Sequence, residues 1–399
     1  MNPKQTRRQF LKGIAAAAGG LALSSLRRVA ISPTPQAAAQ PPQLTPQAYL
    51  PLVGRNFPPA TVVHVHAPAA TNWNFSADTW YGDYVDQDTV DEMVERGLME
   101  LTGAATVADA WAILLPRYTP GQKIAVKVNL NNSRDGCTDT DNIIDALIEP
   151  VNALIGSLVA AGIWEEDVRV YDALRPMMPH RFYKRRRHRH AIYMDSGGCA
   201  DEKATFKLTD TSLRVTFSHP ALQTNRWLTD VLHQATYVIN MPILKRHGLH
   251  PVTLGFKNHF GSLNDLGGGG DDNPHPYIDP RDHRYSPDHS PLVDIYANRN
   301  IADKTVLTVG DGLFGAPGVS AAPVRWRTYN DEAPNSLLFS RDPVAIDCVM
   351  CDLLHAEWEL EEAAYDYLRL AEWRGLGAFE RGDPWGSGYK RLNYVSVEL

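Results

Sequence analysis

The side chains best suited to chemistry are concentrated in one segment, Asn240–Asp265, which contains the run NMPILKRHGLHPVTLGFKNHFGSLND. Cationic, imidazole and amide side chains of this kind bind phosphate or carboxylate groups. Glycines in the same segment let a ligand approach the backbone closely. The polar residues are Lys245, Arg246, His247, His250, Lys257, Asn258 and His259. The segment predicts an anion-binding site, and the alternative is a solvated basic loop on an acidic protein.

Two polar side chains interrupt the apolar strand pattern KIAVKVN of Lys123–Asn129. Because side chains alternate along a strand, Ala125, Lys127 and Asn129 share one face. A lysine in a core strand costs desolvation energy unless it has a partner or a task. We therefore expect Lys127 and Asn129 to join the anion site. The alternative is an edge strand that leaves Lys127 in water.

A general acid or base and a cation site are also predicted. His247 is the candidate acid or base, because imidazole titrates near neutral pH. Asp172, Asp311 and Asp347 end or follow predicted strands, and they could pair with the lysines or hold a cation.

Four separated motifs resemble those of a known family. They are KVNLN at 127–131, INMPILKRHGLHPVTLGFKNHFG at 239–261, VGDGLFG at 309–315 and SRDPVAIDCVMCDLL at 340–354. Together they resemble the DUF362 family of uncharacterised proteins. The resemblance implies an α/β domain, sometimes joined to a ferredoxin-like iron–sulfur module, and it implies no settled reaction.

The motif positions give the candidate site residues. The candidates for catalysis are His247, Lys245 and Lys257. The candidates for ligand binding are Lys127, Asn129, Asn258, Thr253, Gly248 and Arg341. The remaining motif residues are Gly261, Asp311, Asp342 and Asp347. Because the chain lacks a C-x₂-C-x₂-C-x₃-C run, an iron–sulfur cluster within it is not expected.

A divalent metal is a further candidate cofactor. His64 and His66 alternate on one face of a predicted strand, about 6–7 Å apart. Two such imidazoles can share a metal ion, and Asp311 and Asp347 could contribute oxygen ligands. A metal-dependent redox protein is therefore one alternative function, and two polar residues at a strand end are the simpler interpretation.

Two other features favour a non-catalytic module that binds a glycan or a protein. Residues 73–84, WNFSADTWYGDY, contain five aromatic side chains that could stack on sugars, although such clusters more often pack in a core. Residues 271–290 follow four glycines and mix aspartate, histidine and proline. They could form a lid, a metal-binding loop or a mobile surface loop.

The N-terminal segment predicts export. T-R-R-x-F-L-K at 6–12, followed by a weakly apolar run, resembles a bacterial twin-arginine (Tat) signal. We assign 1–39 to this signal peptide, 40–58 to a Pro/Ala-rich linker and 59–399 to the α/β domain. The predicted partner is the Tat export machinery, and the predicted location is the periplasm, the cell surface or the medium.

Charge and composition limit the other classes. Loss of residues 1–39 removes six basic residues and no acidic ones, which changes the formal net charge from −7 to −13. Such an acidic chain is a poor nucleic-acid binder. The chain has no apolar stretch long enough for a transmembrane helix after the signal. Four cysteines are too few for a disulfide scaffold, and Cys348 and Cys351 are expected to be buried.

Hydrophobic periodicity predicts the elements that must position these residues. Strands alternate with helices in the manner of parallel α/β proteins. The fold class is therefore α/β, with a mixed, largely parallel sheet flanked by helices and a β-rich insertion. The predicted strands include 60–66, 123–129, 168–171, 237–241, 305–309, 336–339 and 394–397. The predicted helices include 88–101, 107–115, 143–161, 228–234, 292–298, 343–354 and 359–373, and the insertion is at 191–218.

Overall fold

The computed structural model describes residues 60–133, 135–174, 178–268 and 270–399. The predicted signal peptide and the predicted linker lie outside these residues.

The described residues form twelve strands and ten α-helices, joined by loops and short 3₁₀ turns. The strands are β1 Thr61–His66, β2 Lys123–Lys127, β3 Val168–Asp172, β4 Ile192–Asp195, β5 Glu202–Lys203, β6 Arg214–Thr216, β7 Asn225–Trp227, β8 Ala235–Asn240, β9 Ile243–Lys245, β10 Thr305–Ala316, β11 Ser336–Ser340 and β12 Asn393–Glu398. The helices are α1 Gln87–Thr102, α2 Val107–Leu114, α3 Ile148–Ala160, α4 His180–Tyr183, α5 Asp230–Gln234, α6 Leu254–Asn258, α7 Pro291–Tyr296, α8 Arg299–Ala302, α9 Pro343–Trp358 and α10 Asp366–Trp373.

One large sheet organises the described part of the chain. Its strand order is β12-β1-β11-β10-β8-β2-β3-β4-β5, and β9 pairs with β10 beyond this path. Neighbouring strands are parallel except where β11 pairs with β10 and with β1. The predicted fold class, α/β with a mixed and largely parallel sheet, is confirmed.

Helices cover both faces of the sheet, which explains why its strands are apolar on both sides. Alternation along β1 places Val62 in one core and Val63 in the other. The core that contains Val62 packs against α6, α7, α9 and α10. The core that contains Val63 packs against α1, α2 and α3. Because helices cover both faces, a site can form at the carboxyl ends of the strands, in the loops that follow them.

Several helices begin where the sequence predicts a cap. Asp342 accepts hydrogen bonds from the Val344 and Ala345 amides, and Pro343 follows it, so α9 begins at that position. Thr106 caps α2 in the same way through the amide of Asp109.

The inserted region differs in part from the expectation. β6 and β7 form a separate two-stranded antiparallel sheet, so the β-rich insertion is confirmed there. Within 191–218, β4 and β5 do not join this small sheet but extend the main sheet in parallel. The short length of these strands gave no direction signal in the sequence.

A disulfide joins Cys137, in the loop after β2, to Cys199, in the loop after β4. Cys348 and Cys351 are free thiols buried in α9, as expected. Among the helices of the described residues, none combines the length and apolar character needed to cross a bilayer.

Candidate functional site

A cleft lies where β2, β3 and β9 end, at the carboxyl edge of the sheet. It has an empty volume of about 460 Å³, open solvent included. Open α/β sheets bind ligands at this edge, next to the point where the strand order reverses. Here the strand order reverses at β2. The chain continues to β3 on one side of β2, and β8, which comes later in the chain, lies on its other side. The lining residues are Asn129, Asn131, Asp172, Leu174, His247, Thr253, Lys257, Asn258, Phe260, Gly261, Leu266 and His275.

Asp347 fixes the short helix α6 that carries two of these residues. Its carboxylate accepts hydrogen bonds from the amides of Gly255 (2.8 Å) and Phe256 (3.1 Å) and from the Tyr367 hydroxyl (3.0 Å). Burial raises the pKa of Asp347 to about 7. Both carboxylate oxygens of this predicted cation ligand therefore accept hydrogen bonds from the protein. Asp347 positions α6 against α9 and α10.

The backbone at the start of α6 is strained. Leu254 has a φ of 47°, a left-handed conformation that a branched side chain rarely adopts. Such strain persists only where the surroundings enforce it, and it often accompanies functional sites.

A buried polar network supports the floor of the cleft. The Lys127 ammonium group contacts the Asp172 carboxylate (3.2 Å) and the side-chain oxygen of Asn258 (3.3 Å). The Asn258 amide group donates to the side chain of Asn240 (2.8 Å) and to the Lys127 carbonyl (3.2 Å). Burial lowers the pKa of Lys127, and the charge of Asp172 opposes that change. Lys127 thus ties α6 to β2 and β3 and does not line the cleft.

Lys257 provides the cationic side chain of the cleft lining. Its ammonium nitrogen lies 4.1 Å from the ring centroid of Phe260, a cation–π distance. The imidazole of His275 stacks on Phe260 with ring centroids 5.1 Å apart. The ring centroids of His275 and His247 are 6.4 Å apart, and these two rings are nearly parallel. The cleft therefore combines one ammonium group with two imidazoles and an aromatic wall.

His247 is held as a neutral donor. Burial, followed by the charge of Lys257, lowers its pKa far below the ordinary value. Its Nδ1 accepts hydrogen bonds from the amides of Leu249 (3.1 Å) and His250 (3.4 Å). A neutral imidazole that accepts at Nδ1 carries its proton on Nε2. His247 is thus arranged to donate a hydrogen bond rather than to accept a proton.

Lys245 lies behind the cleft. It is fully buried at the end of β9 and donates to the Val319 carbonyl at 3.5 Å. Its charge contributes to the lowered pKa of His247. It also partly offsets the burial that raises the pKa of Asp145 to about 7. Lys245 contributes positive potential without lining the cleft.

Thr253 presents a hydroxyl to which no described residue forms a hydrogen bond. The residue is 4% exposed and lines the cleft between β9 and α6. Its Oγ1 is buried and has no hydrogen-bond partner among the described residues. Buried polar atoms are nearly always paired, so an unpaired hydroxyl in a cleft suits a ligand.

Three further predicted site residues also lie outside the cleft lining. Arg341 is exposed after β11, and because β11 is antiparallel the chain there runs away from the carboxyl edge. Asp311 occupies the sheet face that carries Val309, opposite the face of α6. Gly248 follows His247, and its carbonyl accepts a hydrogen bond from Arg281 instead of facing the cleft.

The predicted metal ligands are not brought together. Ser336 Oγ donates to the Pro334 carbonyl and therefore accepts from His64 Nε2 (2.8 Å), while His64 Nδ1 accepts from the Tyr394 hydroxyl (2.7 Å). Both ring nitrogens of His64 are thus engaged, and His66 contacts Glu398 at 2.6 Å. The described residues contain no group of three or more His, Cys, Asp or Glu side chains placed to hold a metal ion.

The aromatic residues of 73–84 pack mainly into the protein. Trp73 and Tyr81 are buried, and their rings lie 5.9 and 5.1 Å from that of Phe314. The remaining aromatic side chains pack against the same core. This arrangement favours the packing interpretation over a stacking surface for sugars.

Sequence reasoning missed several members of the lining. The sequence does not connect the 271–290 segment with the anion site. His275 of this segment nevertheless lines the cleft, where its ring stacks on Phe260. The sequence suggests Asp172 as a partner for a lysine or as a cation ligand, and the structure pairs it with Lys127. The signal for a place in the cleft is its position directly after the predicted strand 168–171, since β3 neighbours β2.

The fold and the cleft define an α/β protein with a concave polar site at the carboxyl edge of its sheet. Residues 124–352 match the family model described as Domain of unknown function (DUF362), and this match covers more than half of the chain. The protein belongs to this family. No curated protein matches the chain.

Proposed function

We propose that this protein binds a small anionic molecule, a phosphate or a carboxylate, in the cleft. The observation that carries the proposal is the convergence of Lys257, His247 and Thr253 on one concave surface, where the Thr253 hydroxyl has no partner in the described part of the chain. Lys257 supplies the charge, and His247 and Thr253 supply neutral donors. Charge-assisted hydrogen bonds of this kind are the strongest available to an anion.

Calorimetry with inorganic phosphate and a panel of small phosphates and carboxylates tests this proposal. Lys257→Met should weaken the binding of each anion that the wild type binds by about 10- to 100-fold, the loss typical of a hydrogen bond to a charged group. Lys390→Met, at an exposed lysine outside the cleft, is the matched control and should bind as the wild type does. Equal affinities in wild type and Lys257→Met, or no binding to the wild type, would refute the proposal.

We further propose that the protein reaches its place of action through the Tat pathway. The sequence T-R-R-x-F-L-K at 6–12 supports export by this pathway. The Cys137–Cys199 disulfide also supports it, because disulfides persist mainly in oxidising compartments such as the periplasm.

The twin-arginine pair offers a direct test of export. Arg7→Lys combined with Arg8→Lys should leave the protein in the cytoplasm, as shown by cell fractionation and immunoblotting. Arg27→Lys with Arg28→Lys changes a second arginine pair of the same segment and should leave export intact. Export of the first double variant at the wild-type level would sink the Tat assignment.

A further inference from the structure

Among the described residues, only one of the two carboxylate oxygens of Asp172 has a hydrogen-bond partner. Its Oδ2 accepts hydrogen bonds from the Leu130 amide (3.0 Å) and from the Lys127 ammonium group (3.2 Å). Its Oδ1 is buried and has no partner among the described residues, although the side chain lines the cleft. A buried acceptor that lacks a hydrogen bond is destabilising, so this oxygen suits a donor supplied from the cleft.

The charges around Asp172 indicate what kind of donor fits. Lys127 is completely buried beside the carboxylate and offsets its negative charge. Lys257 lies in the same lining and is a second cation, which places positive charge beside Asp172 in the cleft. The cleft thus presents a positive region and a hydrogen-bond acceptor to one small molecule.

We propose that the ligand carries a hydroxyl or ammonium group that donates to Asp172 Oδ1, in addition to its anionic group. The ligand class is then hydroxy- or amino-substituted small carboxylates and phosphates. This inference rests on the proposed anion-binding function. Thr253 Oγ1, which can donate or accept, lies in the same lining and can hold either end of such a molecule.

Matched ligands test the inference on the wild-type protein. Calorimetry measures the binding of three sets of ligands, and each chiral ligand is tested as both enantiomers. Lactate and alanine are compared with propionate, and malate and aspartate are compared with succinate. Glycerol 3-phosphate is compared with propyl phosphate. In at least one set, the molecule with the donor should bind at least about 100-fold more tightly, because a site built around a hydrogen bond rejects analogues that lack it.

Asp172→Asn identifies the residue responsible. Lys127 and the Leu130 amide are both donors, so they hold the amide oxygen and leave the new NH₂ group where Oδ1 was. A donor then faces the ligand's donor, and the preference for the substituted ligand should fall at least about tenfold. Asp88→Asn, at a side chain that is 95% exposed on α1, should keep the wild-type preference.

The outcomes separate the two proposals. If the wild type binds anions through Lys257 but binds both members of every set equally, the donor inference fails and the anion-binding proposal stands. If no anion binds, both fail. Should Asp172→Asn not fold, because it removes one partner of a buried ion pair, the wild-type comparison still decides.

Discussion

Lys127 is completely buried beneath the cleft, where its ammonium group contacts Asp172 and Asn258. Residue type and strand alternation correctly indicated that this lysine needs a partner. They could not indicate whether it contacts a ligand or supports the residues that do. That distinction depends on the loop from Asn258 to Gly261, which covers the ammonium group, and on distances that no spacing rule supplies.

Gly261 should tolerate no side chain. A Cβ atom there would lie 2.5 Å from the Lys127 ammonium nitrogen and 2.6 Å from Asp172 Oδ1. We expect Gly261→Ala to lower the free energy of unfolding by about 1–3 kcal/mol, the usual cost of overpacking, and to weaken anion binding. Urea denaturation and calorimetry measure the two effects. Gly318→Ala, where a Cβ would meet no atom within 4 Å, is the control, and equal stability of the two variants would contradict the expectation.

Periodicity located most of the elements, because both faces of the sheet are buried and the apolar runs are continuous. It placed the start of α3 five residues too early, at Ile143 instead of Ile148. Asp145 explains the difference, because its carboxylate accepts from the Asn132 amide and the Ser133 hydroxyl and so keeps its segment in a loop. The predicted helix 359–373 also begins later than expected. Glu359 has a φ of 49° and ends α9, and α10 begins only at Asp366.

His64 joins three strands and should make their pairing sensitive to acid. Its ring bridges β1 to Ser336 on β11 and to Tyr394 on β12. Burial lowers the pKa of His64 from 6.5 to about 3. Between these values the unfolded chain binds a proton that the folded protein does not, so this residue's contribution to stability is complete above about pH 6.5 and is lost as pH falls towards 3.

Replacement of His64 should reduce this acid sensitivity. In His64→Gln, the free energy of unfolding should fall less steeply on acidification from about pH 6.5, by up to about 1.4 kcal/mol per pH unit. Urea denaturation across this range gives the slope. Tyr394→Phe removes a hydrogen bond but keeps the buried imidazole, so it should retain the wild-type slope. Identical slopes for His64→Gln and wild type would count against this account.

At the scale of the whole molecule, the cleft depends on segments that are distant in the chain. The motifs group Thr253, Lys257 and Asn258 with Asn129, and these four residues line one cleft although Asn129 is distant in the chain. No spacing rule pairs Cys137 with Cys199 across 62 residues, because the pairing requires the loops after β2 and β4 to meet, and β3 lies between these strands in the sheet. Asn131, which lines the cleft, lies in one of those two loops.

Removal of this disulfide should destabilise the whole protein. Cys137→Ser with Cys199→Ser frees a long loop in the unfolded chain and should cost about 2–4 kcal/mol. Chemical denaturation with and without dithiothreitol measures the effect. The reductant should destabilise the wild type by a similar amount and leave the double variant unchanged. A wild type that is insensitive to reductant would contradict the prediction.

The position of β1 has a consequence for how the chain is made. β1 lies between β11 and β12, so the first strand of the described residues obtains both of its neighbours from residues 336–340 and 393–398. During synthesis on the ribosome, the apolar run Val62–Val65 must wait for nearly the entire polypeptide before it can pair. A nascent chain that stops before residue 336 leaves this strand with two open edges, and such edges promote aggregation. Products that end before residue 336 should therefore be insoluble, whereas a chain that includes β11 and β12 buries the same residues.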